Sequence, residues 1–345
     1  MKYNFQRHKM ENSKTPVSVI TGFLGAGKTT LLNQLLTNQS GKKYAIIVNE
    51  FGEIGIDNDL VVGADEEIFE LNNGCVCCNV RGDLIRILGA LFKRKSAFDA
   101  ILIETTGLAK PAPVAQTFFA DDDIARRAYL DGIITIVDAV NIISNLKEFE
   151  EATNQIAFAD VIILNKVSEV SAQEIETIKS AIKSINIGAK IIETNNSKID
   201  ENEIFNLNSY DDAKEETINR YFKKDDHHHG HHHHHHHHDH DHDHLEQNGV
   251  KALCIRSDKP LDENRFMDFL STLVGEFGES LLRFKGIVKI ANQNAPFVFN
   301  GVHMMVDADY KNDKNFGESF ESRLVFIGKD LPQGDIVSRF KSCEN

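Results

Sequence analysis

The chain has 345 residues, 41% of them hydrophobic, which is room for about two globular domains. Its formal net charge of −14 argues against non-specific nucleic-acid binding. No apolar run approaches the ~18 residues of a membrane span. The opening residues "MKYNFQRHKMENSKTP" are polar and lack the apolar segment of a signal peptide, so a cytoplasmic protein is expected. In chain order, the apolar, β-rich runs "VSVITG", "YAIIVNEF", "DAILIETTG", "GIITIVDA", "DVIILNK" and "AKIIET" alternate with stretches long enough for helices. This spacing predicts an α/β domain over residues 1–200, a mainly parallel sheet flanked by helices. "KTTLLNQLLTNQ" and "RGDLIRILGALFKRK" carry leucines and isoleucines at helical spacing. Residues 201–249 are polar and include 227–244, which hold 14 His, three Asp and one Gly, so a disordered linker is expected there. From residue 250 to 345 a smaller α+β domain is predicted. It begins with the strand "KALCIRSD" and the helix "LDENRFMDFLSTLVGEF", continues with strands of a largely antiparallel sheet, and closes with the helix "PQGDIVSRFKSC".

The first chemical signal is "GFLGAGKTT", which fits G-x-x-x-x-G-K-[ST] between a strand and a helix, the P-loop context. Gly22, Gly25, Ala26 and Gly27 would bring backbone N–H groups around phosphate oxygens. Lys28 would reach the β- and γ-phosphates, Thr29 would ligate Mg²⁺, and Thr30 completes the motif. The apolar strand "AILIETTG" ends in Glu104, an acid placed to hold Mg²⁺ or its water shell, and Gly107 lets an N–H approach the γ-phosphate. "ILNKVSEV" begins like the guanine-reading pattern N-K-x-D, with Asn165 and Lys166 in place. Ser168 stands where an Asp would pair bidentately with guanine, and an unrelated loop after a core strand is the alternative reading.

The second signal is "LNNGCVCCNVRGDL", which places Cys75, Cys77 and Cys78 in four positions of a chain with five cysteines. In a reducing compartment such a cluster favours metal ligation over disulfides. Three thiolates suit Zn²⁺, and no fourth Cys or His lies nearby in sequence, so the site is expected to be open. A redox pair or simple burial are the rival readings. The His/Asp run adds imidazoles that are mostly neutral near pH 7, a collector of exchangeable ions.

These motifs, "GFLGAGKTT", "NEFGEIGIDNDLV", "GCVCCNVRGDL", "ETTGLAKP" and "NKVS", followed by "RFKGIV", "FNGVH" and "RLVFIG", resemble the CobW-like family of P-loop GTPases, which includes zinc- and cobalt-handling metallochaperones. The likeness covers nearly the whole chain. It implies a GTP-hydrolysing domain that carries Zn²⁺ on Cys75, Cys77 and Cys78, Co²⁺ being an alternative, and a C-terminal domain that meets a metal-requiring client protein. It makes Lys28, Glu104 and Glu50 the candidate catalytic residues, with Asp57 beside Thr29 as a magnesium ligand. The departure at Ser168 leaves ATP open beside GTP. A zinc store and a cobalt-handling GTPase of cobalamin synthesis are the alternative functions. Oligomeric state does not follow from the sequence.

Overall fold

Strands that are apolar on both faces need cover on both faces, and the chain supplies it with helices between them. The computed structural model describes residues 14–37, 43–48, 67–70, 80–93, 98–210, 218–222, 249–311 and 320–345. The first part runs β1 (Thr15–Gly22), α1 (Lys28–Thr37), β2 (Tyr44–Val48), β3 (Glu67–Glu70), α2 (Val80–Leu91), β4 (Ala100–Glu104), α3 (Ala112–Ala120) and α4 (Asp122–Arg127). It continues through β5 (Ala128–Asp138), α5 (Ile142–Glu148), α6 (Glu150–Phe158), β6 (Val161–Asn165), α7 (Ala172–Ile185) and β7 (Lys190–Glu193). Its described strands form one seven-stranded sheet in the order β3-β2-β4-β1-β5-β6-β7. Every neighbouring pair is parallel. The six apolar runs read from the sequence are all strands of this sheet. The seventh, β3, was not expected, because "EIFE" is short and carries a charge at each end.

The helices lie where the leucine spacing puts them. α1 buries Leu31, Leu32, Leu35 and Leu36, and α2 buries Leu84, Leu88 and Leu91. α7 begins with a reciprocal capping box, Ser171 with Glu174, which satisfies two otherwise orphaned N–H groups.

The C-terminal part comprises β8 (Val250–Ser257), α8 (Glu263–Phe277), β9 (Leu281–Val288), β10 (Phe297–Val302), β11 (Met305–Tyr310), β12 (Ser322–Lys329) and α9 (Gln333–Lys341). Its sheet is antiparallel in the order β11-β10-β9-β12-β8. Period-2 alternation sends residues of one strand to two different cores. Leu324 and Phe326 join the core that α8 and α9 cover, whereas Val325 and Ile327 join the core of the parallel-sheet domain. The antiparallel sheet is therefore a shared wall between the two domains.

The region expected as a linker from residue 201 differs at its start. Residues 201–203 form a 3₁₀ turn, Ile204 and Phe205 are buried, and the Phe205 ring stacks on Tyr44 at 5.1 Å. Asn206 and Asn208 take φ of +56° and +46°, the left-handed region that asparagine tolerates, and so let a polar stretch turn back onto the sheet. The N–H groups of Leu207 and Asn208 then donate to the Asp131 carboxylate at 3.1 and 2.7 Å. Ile218 and Tyr221 are also buried. The His-rich residues 227–244 lie outside the described residues.

Candidate active site

β1 and β4 are neighbours, with Ile20 paired to Glu104, so the loop that follows β1 and the acid that ends β4 share one edge of the sheet. This is the carboxyl edge, where ligands of open α/β sheets bind. The loop turns at Phe23, whose carbonyl accepts from Ala26 N at 3.3 Å, and Lys28, Thr29 and Thr30 open α1. Gly25 has φ of +72° and Gly22 of +144°. Gly27 needs its missing side chain twice over. Its φ is +110°, and a Cβ there would lie 2.6 Å from both Asn165 Nδ2 and Ser197 Oγ.

The expected pair Thr29 and Glu104 meets: Thr29 Oγ1 donates to Glu104 Oε1 at 3.4 Å. Lys28 Nζ donates to the carbonyls of Gly22 at 2.9 Å and Phe23 at 3.2 Å. Burial pushes its ammonium below the ordinary lysine value, against the opposing pull of Glu104. A lysine so placed is a poorly hydrated cation held at the loop, suited to phosphate oxygens. Gly107 comes close to the loop, since a Cβ on it would be 2.8 Å from Leu24 N. The hydroxyl of Thr29 and the carboxylate of Glu104 are hard oxygen donors, the set that Mg²⁺ prefers, so these residues fit that ion.

Asn165 and Lys166 are at the same edge, but their polar atoms are engaged. Asn165 Nδ2 donates to Ala26 O at 2.9 Å and to Ser197 Oγ at 3.0 Å, and Asn165 Oδ1 accepts from Ser197 N at 2.9 Å. Asn165 thus buckles the P-loop to the turn after β7. Lys166, at a left-handed φ of +62°, donates to Asp138 Oδ2 at 2.7 Å. Burial would raise the Asp138 carboxyl, yet it is held below the usual carboxylate range by Lys166, Asn141 and the N–H of Val140. Ser168 donates through both its N–H, at 2.9 Å, and its hydroxyl, at 2.8 Å, to Asn195 Oδ1.

Sequence reasoning did not select Asp138, Gln155, Asn195 or Ser197. Asp138 had a usable signal: it ends an apolar strand beside the P-loop strand, as Glu104 does. The other three serve partners 27 or more residues away, Gln155 at the Gly107 loop, Asn195 at Ser168 and Ser197 at the P-loop, with no motif of their own.

Glu50, Asp57, Cys75, Cys77 and Cys78 lie outside the described residues. Among the described residues no group of three His, Cys, Asp or Glu side chains is placed to hold a metal. None of their helices is long and apolar enough to cross a membrane.

Residues 16–193 match the CobW/HypB/UreG nucleotide-binding domain, and residues 250–344 match the cobalamin synthesis protein CobW C-terminal domain. The chain belongs to the CobW/HypB/UreG family. Its full length is similar to the zinc chaperone YjiA of Escherichia coli, at 34% identity over 329 residues, 94% of this chain and 97% of that one. It is also similar to the zinc chaperone CobW of Pseudomonas aeruginosa, at 32% identity over 96% of this chain and 92% of that one. The solved structure of Zn(II)-bound YjiA GTPase superposes with a TM-score of 0.76 at 30% identity, covering 96% of this chain and 100% of that one. A CobW-family chain is therefore expected to keep the two-domain order found here, P-loop domain first.

Proposed function

We propose that the chain is a GTP-hydrolysing metallochaperone that holds zinc on Cys75, Cys77 and Cys78 and delivers it to a metal-requiring client protein. The observation that carries this reading is one row of the sheet. Glu70, Val48, Glu104 and Ile20 are paired across β3, β2, β4 and β1. The chain leaves β3 at Glu70 toward the cysteines, two strand spacings, about 10 Å, from the Glu104 that faces Thr29. Cys75 follows Glu70 by five residues, a chain that spans at most about 18 Å, which supports a thiolate site coupled to the triphosphate site. The relatives named as zinc chaperones support zinc as the cargo. So do three soft thiolates, although Co²⁺ also accepts them.

Phosphoryl transfer to water asks the protein mainly for position and charge. The N–H groups of Gly25, Ala26 and Gly27 and the Lys28 ammonium bind the phosphates. Thr29 and Glu104 would hold Mg²⁺, which, when bound, neutralises charge on the β- and γ-oxygens. Gly107 lies against the P-loop at Leu24, which supports its N–H as a partner of the γ-phosphate. Glu50 is kept as a candidate for orienting water. Asn165, which ends β6, and Lys166 and Ser168, which follow it at the same edge of the sheet, are the candidates for reading the base.

The test is phosphate release during zinc titration of metal-free protein, for the unaltered chain and for Cys75→Ser/Cys77→Ser/Cys78→Ser. Zinc should change the rate or GTP affinity of the first and not of the second. If it changes neither, nucleotide and metal are uncoupled and the reading fails. A zinc store is favoured only by the 14 His of residues 227–244. Deleting them should spare client activation by a chaperone but remove most of a store's capacity.

A further inference from the structure

Helix α6 (Glu150–Phe158) is amphipathic neither in sequence nor in place: every residue from Ala152 to Phe158 is buried, including Thr153, Asn154 and Gln155. A buried amide must spend its hydrogen bonds inside the protein. Gln155, 1% exposed, donates from Nε2 to the carbonyl of Gly107 at 3.0 Å and of Ala109 at 3.1 Å. One turn earlier, the Glu150 carboxylate stands 3.3 Å from Lys110 Nζ. The loop that carries Gly107 past the P-loop is thus fastened to α6 at three points, Gly107, Ala109 and Lys110.

The far end of α6 is fastened to the other domain. Arg283 on β9 donates to Phe158 O at 2.7 Å and pairs with Asp160, two residues beyond the helix. Asn186 Nδ2 closes the same helix end by donating to the carbonyls of Ile156, Ala157 and Ala159 at 2.9, 3.3 and 2.8 Å. The Phe158 ring lies 6.0 Å from that of His303, on the turn between β10 and β11.

We propose that Gln155 is a positioning residue for GTP hydrolysis and that α6 carries the position of the Gly107 loop to the C-terminal domain. The proposal rests on reading that loop as the one that faces the γ-phosphate. With both amide protons engaged, Gln155 fixes the peptides that follow Gly107 and Ala109, and so restrains the loop directly after the peptide that carries the Gly107 N–H. If the loop shifts toward a γ-phosphate, either these bonds break or α6 follows. Because α6 is held by Arg283, a shift of the helix is felt in β9. Linkage makes the effect mutual: whatever binds the C-terminal domain and biases β9 changes GTP affinity by the same factor.

The chain contains no tryptophan, so Met304→Trp, at an exposed position next to His303, gives a single emission reporter on the C-terminal domain. In the full chain with this reporter, GTP binding is first measured by calorimetry, then kcat, then emission with GDP and with a non-hydrolysable GTP analogue. The expected result is a nucleotide-dependent emission difference that disappears in Gln155→Met. That variant should bind GTP as before while kcat falls about 10- to 100-fold, the scale of a small misplacement of a catalytic loop. Should Gln155→Met fail to fold by circular dichroism, Gln155→Asn decides, because it keeps the amide but is one methylene short of both carbonyls. An emission difference absent from the Gln155 protein, or preserved together with kcat in the folded variant, overturns the proposal. A chain that binds no GTP at all overturns the P-loop assignment beneath it, an outcome the calorimetry identifies separately.

Discussion

Replacing Arg283 by Met tests how the two domains are held together. Arg283 is 1% exposed and faces Asp160, which is buried and also accepts from Ile133 N at 2.9 Å. The Tyr210 ring lies under the guanidinium, 4.6 Å away. Removing one partner of a buried ion pair costs about 3–5 kcal/mol, because the other charge is left uncompensated. Here a second cation is in reserve. Lys285 Nζ is 3.5 Å from the same carboxylate oxygen and donates to Ser209 O at 2.5 Å. Burial, then the neighbouring Arg283, holds the Lys285 ammonium down to about 7. Without Arg283 that depression relaxes, and Lys285 takes up a proton and becomes the cation that compensates the Asp160 carboxylate. Arg283→Met should therefore cost about 3 kcal/mol, the low end of the range. Lys285→Met alone should cost about 1 kcal/mol, roughly one net hydrogen bond. The double variant strands Asp160 and should cost more than the sum by at least about 1 kcal/mol, well beyond the ~0.5 kcal/mol scatter of independent sites. Urea unfolding at pH 7, followed by far-ultraviolet circular dichroism, measures all three. A cost below about 1 kcal/mol for Arg283→Met, or strict additivity, would refute the argument that one buried carboxylate organises this interface.

Two further outcomes are expected. Lys285 has a folded value of about 7 against an ordinary 10.5, so between those pH values the unfolded chain holds a proton that the folded chain has released. Stability should then rise with pH across that window, by up to about 1.4 kcal/mol per unit, and Lys285→Met should flatten the rise; an equal slope in the variant would show that other groups cause it. Ser168→Asp places a carboxylate where guanine presents its two N–H groups, and should raise the preference for GTP over ITP about tenfold or more in competition binding. An unchanged ratio would mean that this loop does not read the base.

The parts of the protein legible in its sequence are those whose chemistry is local. The P-loop is nine consecutive residues, and the strand-end acid Glu104 is read from the five residues of its own strand. The leucine spacing of α1 announces which face is buried without knowledge of what it packs against. β3 escaped because a four-residue edge strand with charged ends has no apolar run to declare it. Residues 201–210 escaped because composition was averaged over a polar window, while burial of Ile204 and Phe205 and the bonds of Leu207, Asn208 and Ser209 to distant partners decide the packing. α6 is the harder case. Its "EEATNQIAF" has neither an apolar stripe nor a motif, since it is enclosed by both domains and its polar groups serve partners distant in sequence. Gln155 is 48 and 46 residues from the carbonyls it holds, and Asp160 is 123 residues from Arg283. A polar residue buried for a long-range partner looks in sequence like a weak surface position, and only the partner reveals its role. The phosphate site can thus be read from a few adjacent residues, but its connection to the second domain depends on pairings that exist only once the chain has folded.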